Sequence, residues 1–260
     1  MLSAMTSTSW TLPVRTALPA IPAPVYEVCW ARLGLGVMPF PLVVLRTSTD
    51  PDDHSAVEAR AAHWLREHGL GDENHIGPEL TEALRTIADF DMELAVVYTE
   101  HDVQTRIGGF ARGGRSLRAV LRADTVELEW IENDLLASSA LAVVPEYGPG
   151  TASPVRVAAN DLARAGRHWE RSGVIADAGR ADTERFLDIY ATATAVGQAS
   201  ALRPSNPRSC KLVAQSPVTW LDTPEGRYAI THSDGWMSLS AACSGTVSQH
   251  LSGLLSGPFS

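Results

Sequence analysis

Two runs of strict period-two alternation, each ending in a helix, constrain this chain more than any other feature. In the first, Met92, Leu94, Val96 and Tyr98 alternate with Glu93, Ala95, Val97 and Thr99. Successive side chains of a strand point to opposite faces, so such a run is a strand with two unlike faces. Residues 103–110 form a second strand, and Gly113 and Gly114 turn the chain. Leu117, Ala119 and Leu121 then alternate with Arg118, Val120 and Arg122. A turn at Ala123 and Asp124 leads to Val126, Leu128 and Trp130 against Glu127 and Glu129. Strands joined by such short turns are antiparallel neighbours. Asn133 or Asp134 is placed to cap a helix that runs to Val144, where Pro145 ends it.

The second run reads as strands over 211–215, 218–222, 227–232 and 236–241, with a helix over 247–255. Gly114 and Arg115 correspond to Gly226 and Arg227, and the Ala123 turn corresponds to the turn at Asp234 and Gly235. The repeat predicts an α+β fold with a pseudo-twofold, its central antiparallel sheet drawn from two meanders and flanked by helical subdomains.

Around these runs, Pro13, Pro19, Pro22 and Pro24 disfavour helix and central strand over 12–24, so 1–24 reads as an extended arm with a short strand near Trp10. A short helix is expected over 25–35 and a brief buried strand over 41–45. Asp50 and Pro51 open a helix that buries Val57, Ala61, Trp64, Leu65 and His68 and stops at Gly69. Pro78 opens another, with Leu80, Leu84, Ile87 and Ala88 on one face. After a linker at 147–150, a strand over 154–158 and a helix capped by Asn160 follow. Residues 183–201 read as an amphipathic helix with Phe186, Leu187, Tyr190, Ala193, Thr194 and Gly197 inward. The expected organisation is a single domain over 25–260 with halves of about 25–150 and 151–260.

The formal charge of −9 argues against a nucleic-acid partner, which needs clustered cations. No apolar run reaches the roughly 18 residues of a membrane span, and residues 1–10 lack the basic start and apolar stretch of a secretory signal. A cytoplasmic location is therefore expected. Cys29, Cys210 and Cys243 lack the spacing of a disulfide framework or a zinc site, and are expected to be buried thiols.

The motifs of common chemistries are missing. There is no G-x-S-x-G elbow, and Lys211, the sole lysine, excludes a phosphate loop. Gly34 and Gly36 lack the third glycine and preceding strand of a dinucleotide site. His63 and His68 lie five apart, on different faces of a helix, so with His75 they do not suit a metal site; His54, His68 and His75 read as a solvated helix end and loop. No cofactor is expected. Arg118 and Arg122 oppose Glu127 and Glu129 across a hairpin. Such a cluster suits an enzyme of unrecognised type on an α+β scaffold, but matches cross-strand charge complements better.

The remaining feature is a mixed sheet face. It is expected to carry Arg106, Arg118, Val120, Arg122, Glu127, Glu129 and Ile131 from the first run, with Thr219, Leu221, Arg227, Ala229 and Thr231 from the second. Arginine with scattered aliphatics is a composition that protein interfaces use.

Three segments carry a family resemblance: "GGRSLRAVLRADTVELEWIENDLLASSALAVV", "SPVRVAANDLARAGRHWERSG" and "DTPEGRYAITHSDGWMSLSAACSGTVSQHLSGLL". With the element order over essentially the whole length, the chain resembles EspG, the cytosolic chaperones of type VII (ESX) secretion in actinobacteria. The resemblance implies no enzymatic activity. It implies that the chain binds the apolar tip of a PPE protein within a PE–PPE heterodimer and keeps it soluble for export. Two departures stand out. The segment between Ser172 and Lys211 is short for the family, and the N-terminal arm is unusually rich in proline, so the cargo is expected to be PE/PPE-like or WXG-like. With cargo against the sheet and C-terminal lobe, the nominated contact residues are Arg106, Arg118, Arg122, Thr219 and Arg227, with Trp236 as an aromatic anchor. Phe186 and Tyr190 mark the next surface.

Overall fold

In the computed structural model, residues 17–44, 51–168, 177–205 and 212–257 are described. A two-residue strand β1 (Ile21–Pro22) leads into α1 (Ala23–Arg32), α2 (Pro51–His68) and α3 (Pro78–Ala88). The first meander follows as β2 (Met92–Glu100), β3 (Val103–Arg112), β4 (Arg115–Arg122) and β5 (Thr125–Ile131), closed by α4 (Leu136–Leu141). The second half opens with β6 (Val155–Ala158), α5 (Ala159–His168) and α6 (Asp177–Ala191). It continues through β7 (Ala195–Pro204), β8 (Leu212–Ala214), β9 (Val218–Thr223), β10 (Gly226–Ser233) and β11 (Trp236–Ala241) to α7 (Ser244–Ser256).

All strands join one 11-stranded sheet in the order β1-β5-β4-β3-β2-β7-β9-β10-β11-β6, with β8 also paired to β7. The order reads alike from both ends. Each half begins with an edge strand, crosses through helices to a central strand, steps outward through a meander, and ends in a helix. β2 and β7 meet antiparallel at the centre, from Glu93 opposite Leu202 to Glu100 opposite Ala195.

The two faces are covered differently. On one, α1, α2 and α3 pack on the first half through Val25, Leu65, Leu84, Leu117 and Leu121. On the same face, Phe186 of α6 packs on the second half with Leu221, Tyr228 and Ile230. On the opposite face, α4 and α7 share one core with Val96, Ile107, Val120 and Trp220. The first is the lobe face and the second the α4–α7 face.

Several expectations are corrected. Residues 183–201 are not one helix: α6 ends at Ala191 and β7 begins at Ala195. Ala195, Gly197, Ala199 and Ala201 are buried on alternate positions, a strand pattern written in residues that read as helical by propensity. Trp220 explains the glycine, since a Cβ on Gly197 would lie 1.9 Å from its indole. The segments 211–215 and 218–222 are not a hairpin. β8 and β9 lie along the same strand, β7, as two pieces of one interrupted partner, with Gln215 N–H donating to Ala201 O between them.

Residues 41–44 form no strand, although Leu42 is fully buried. The helix after the first meander is short: residues 133–135 make a 3₁₀ turn, and Asn133 caps nothing. Its side chain instead ties to Ser116 Oγ and to the Gly114 carbonyl. The described end of the arm is docked: Ala17 bridges to Glu129, Ile21 pairs with Val126, and Leu18 and Ile21 are buried. The strand expected near Trp10, the helix cap at Asp50, Trp169, the helix end at Ser172 and Gly173, and Cys210 lie outside the described residues.

Candidate functional site

Cross-strand register decides which nominated residues share a surface, because directly opposed residues lie on one face. Arg106 opposes Leu121 on one side and Val97 on the other. Val97 opposes Gln198, Gln198 opposes Thr219, and Thr219 opposes Ile230. These residues form one row across six strands of the lobe face. The row's ends, Leu121 and Ile230, are buried beneath the two helical lobes. Its middle is open: Gln198 is exposed, and Val97, Arg106 and Thr219 are half-buried. Thr99 and Ser200, half-buried on the same face of β2 and β7, border the row. The structure thus has an open strip along its central strands, walled by α1–α3 on one side and α6 on the other.

Arg106 has a second role at the strip's margin. Its guanidinium donates to the carbonyls of Pro41 (3.4 Å) and Val43 (3.0 Å), fixing the loop after α1 against the sheet.

Arg118 and Arg122 belong to the α4–α7 face, since Arg118 opposes Glu129 and their neighbour Val120 joins the α4–α7 core. Arg118 ion-pairs with Glu129 and donates to Ser139 O of α4 at 2.9 Å. Arg122 pairs with Glu127 and donates to Val143 O just beyond α4. Cations at the last carbonyls of a helix satisfy orphan acceptors and complement the dipole. The helix therefore covers the face expected to be open, and the Arg/Glu cluster serves to seat it.

Arg227 is not a surface residue. It is 0% exposed and donates from Nε and Nη2 to Asp222, from Nη1 to Ser244 Oγ, and from Nη2 to Pro145 O. Tyr98 OH donates to the same carboxylate at 2.9 Å. Burial and that hydrogen bond push the Tyr98 hydroxyl well above the ordinary tyrosine range. Trp236 is 42% exposed at the end of the sheet, on the α4–α7 face, with the Arg156 guanidinium over its ring at 5.0 Å. Of the nominated residues, register brings together only Arg106 and Thr219. Val97, Gln198 and Ser200 complete the open strip without having been nominated, Gln198 and Ser200 because their segment reads as helix.

Among the described residues the histidines gather into no group that could hold a metal. His63 faces Glu67 across a helical turn, and His68 stacks on Trp64 with ring centroids 4.2 Å apart. Cys29 is buried, which pushes its thiol up to about 12. Cys243 corrects the expectation of a buried thiol: it is exposed at the start of α7. Bonds from the Thr246 side chain and from backbone amides lower its pKa there. No helix among the described residues is long and apolar enough to cross a membrane.

Comparison with known proteins agrees with this architecture. The chain matches the structure of the Mycobacterium tuberculosis type VII secretion chaperone EspG5, solved in complex with a PE25–PPE41 dimer. The TM-score is 0.71 at 14% identity, covering 92% of this chain and 96% of that one. A search of curated proteins found no match. The sequence profile of the EspG family matches residues 22–253, nearly the whole sheet and both helical lobes. The chain belongs to the EspG family.

Proposed function

We propose that this protein is a cytosolic chaperone of type VII secretion. It binds a PE/PPE-like or WXG-like protein on the open strip of the lobe face and keeps it soluble for export. The family match over residues 22–253 carries the reading, and the likeness to EspG5, a chaperone solved with a PE–PPE pair, supports it. The strip suits the task physically. A chaperone must cover apolar cargo and remain soluble without it, and Val97, Thr99, Gln198, Ser200 and Thr219 present small aliphatic and uncharged polar groups. These desolvate at far lower cost than paired charges. The chain acts by binding and not by catalysis. Its Arg/Glu cluster is already committed to α4.

The test is a pull-down with the tagged full chain in its native host. The expected result is recovery of a PE/PPE-like or WXG-like pair, and loss of that pair from the soluble fraction when the chain is deleted. A host in which such pairs stay soluble and exported without the chain would contradict the reading.

A further inference from the structure

Among the described residues, an apolar surface beside the strip is not taken up by the cores. Val37 is 94% exposed, Phe40 63% and Leu212 44%, and Val43 also reaches the surface. Val37 and Phe40 belong to the loop after α1, whereas Leu212 begins β8. Together with Pro39, Phe90 and Pro204 they line a cleft of about 780 Å³.

The loop is not loosely held. Trp30 Nε1 donates to Gly36 O at 2.9 Å, and Leu42 N–H donates to Pro39 O at 2.9 Å. Val44 N–H reaches Met38 Sδ at 3.5 Å, and Leu42 is fully buried between the exposed residues on either side. Arg106 of the strip then fastens the Pro41 and Val43 carbonyls. A segment tied at both ends and in the middle, yet displaying Val37, Phe40 and Val43 to water, is organised to present them. Binding to it orders little, so the cost of association is low. An exposed apolar patch of this kind marks a contact site.

The patch is continuous with the strip. Arg106 connects the two directly, and Leu212 and Pro204 close the end of the β7 hairpin, the strand that also supplies Gln198 and Ser200. The rim is acidic, with Asp89 mostly exposed and Asp91 exposed. Asp89 pairs with Arg112 at 3.6 Å, and Asp91 accepts the Gly113 N–H. Such a cleft fits apolar side chains flanked by hydrogen-bond donors, as at the first turn of a helix, where backbone N–H groups lack partners.

We propose that the Val37–Phe40 loop and Leu212 form a clamp that grips an apolar helix start of the same cargo that lies on the strip. This rests on the proposed chaperone function and adds a second, separable anchor to it. The strip supplies breadth, and the clamp supplies the desolvated pocket in which interface energy concentrates.

The experiment titrates the full chain against the cargo pair recovered in the pull-down. It compares wild type with Val37→Ser/Phe40→Ser, with Leu212→Ser on the opposite lip, and with Gln198→Arg in the strip. Both clamp variants are expected to weaken binding tenfold or more with melting temperatures unchanged, because the replaced side chains are exposed. Affinities within twofold of wild type for both clamp variants, with Gln198→Arg still disruptive, would overturn the clamp and leave the chaperone reading intact. Absence of binding by the wild-type chain would overturn both.

Discussion

Asp222 and Arg227 form an ion pair from which water is excluded: both side chains are 0% exposed, with Nε at 2.5 Å from Oδ1 and Nη2 at 2.9 Å from Oδ2. The pair sits on β9 and β10. Through Tyr98, Ser244 and Pro145 it ties together the central strand β2, the start of α7 and the passage between the halves. A fork-to-fork guanidinium–carboxylate contact is directional as well as strong, so the network holds these elements in one arrangement.

Breaking the pair from one side is therefore expected to be severe. Arg227→Met leaves Asp222 buried and uncompensated, which costs about 3–5 kcal/mol. Asp222→Leu combined with Arg227→Met should cost less than Arg227→Met alone, because no charge is stranded. Urea unfolding of the three proteins measures this. A single Arg227→Met variant as stable as wild type would contradict it.

Glu93 makes the opposite prediction. The residue is 1% exposed, its Oε1 has no hydrogen-bond partner among the described residues, and burial raises its pKa to about 8. Below the ordinary value of 4.5 both folded and unfolded chains hold the proton, so Glu93 makes no difference to the pH slope. Between 4.5 and about 8 the unfolded chain has released a proton that the folded chain keeps, and stability falls as pH rises. Above that range the folded chain ionises too, and the loss levels off. Glu93→Gln should flatten this slope. The difference between variant and wild type should change by on the order of 2 kcal/mol or more between pH 5 and pH 8. Parallel stability curves would rule the buried carboxyl out as the source.

Gly197 tests the reassigned strand. Gly197→Ala puts a methyl group into the indole of Trp220 and should destabilise by about 1–3 kcal/mol. Trp220→Leu, which makes room, should recover part of that loss when combined with it. If residues 195–201 were helical, alanine would instead stabilise the segment by roughly 1 kcal/mol. The sign of the change in thermal melting decides between them.

The contrast between β4 and β7 explains what could be read from the sequence. In β4, large apolar Leu117 and Leu121 alternate with charged Arg118 and Arg122, so period two is plain. In β7 the buried positions are Ala195, Gly197, Ala199 and Ala201, all small because Trp220 and α7 press on them. Small residues carry almost no periodic signal, and alanine reads as helix. The fold's repeat was legible because turn residues mark it, as at Ala123 and Asp234, both with positive φ.

The site was less legible for a different reason. Alternation divides a strand into two faces, but only register relates one strand's faces to the next. Arg106 pairs with Leu121 rather than Arg122, which sends it to the lobe face. Nor does alternation reveal which face a later helix will cover. Arg118 and Arg122 lie under α4, and Arg227 hydrogen-bonds at the start of α7. A buried arginine pair and an interface arginine look alike in a sequence.

If cargo lies on the open strip between the lobes, its affinity depends on the strip and is indifferent to the opposite face of the sheet. Gln198 is exposed in the middle of the strip, and Trp236 is partly exposed on the opposite face. Affinity for the cognate cargo pair is measured for wild type, Gln198→Arg and Trp236→Ala. At least tenfold weaker binding is expected for Gln198→Arg, about 1.4 kcal/mol or more, with an unchanged melting temperature, and an affinity within twofold of wild type for Trp236→Ala. Full affinity in Gln198→Arg with loss in Trp236→Ala would put the cargo on the other side of the sheet and contradict that placement.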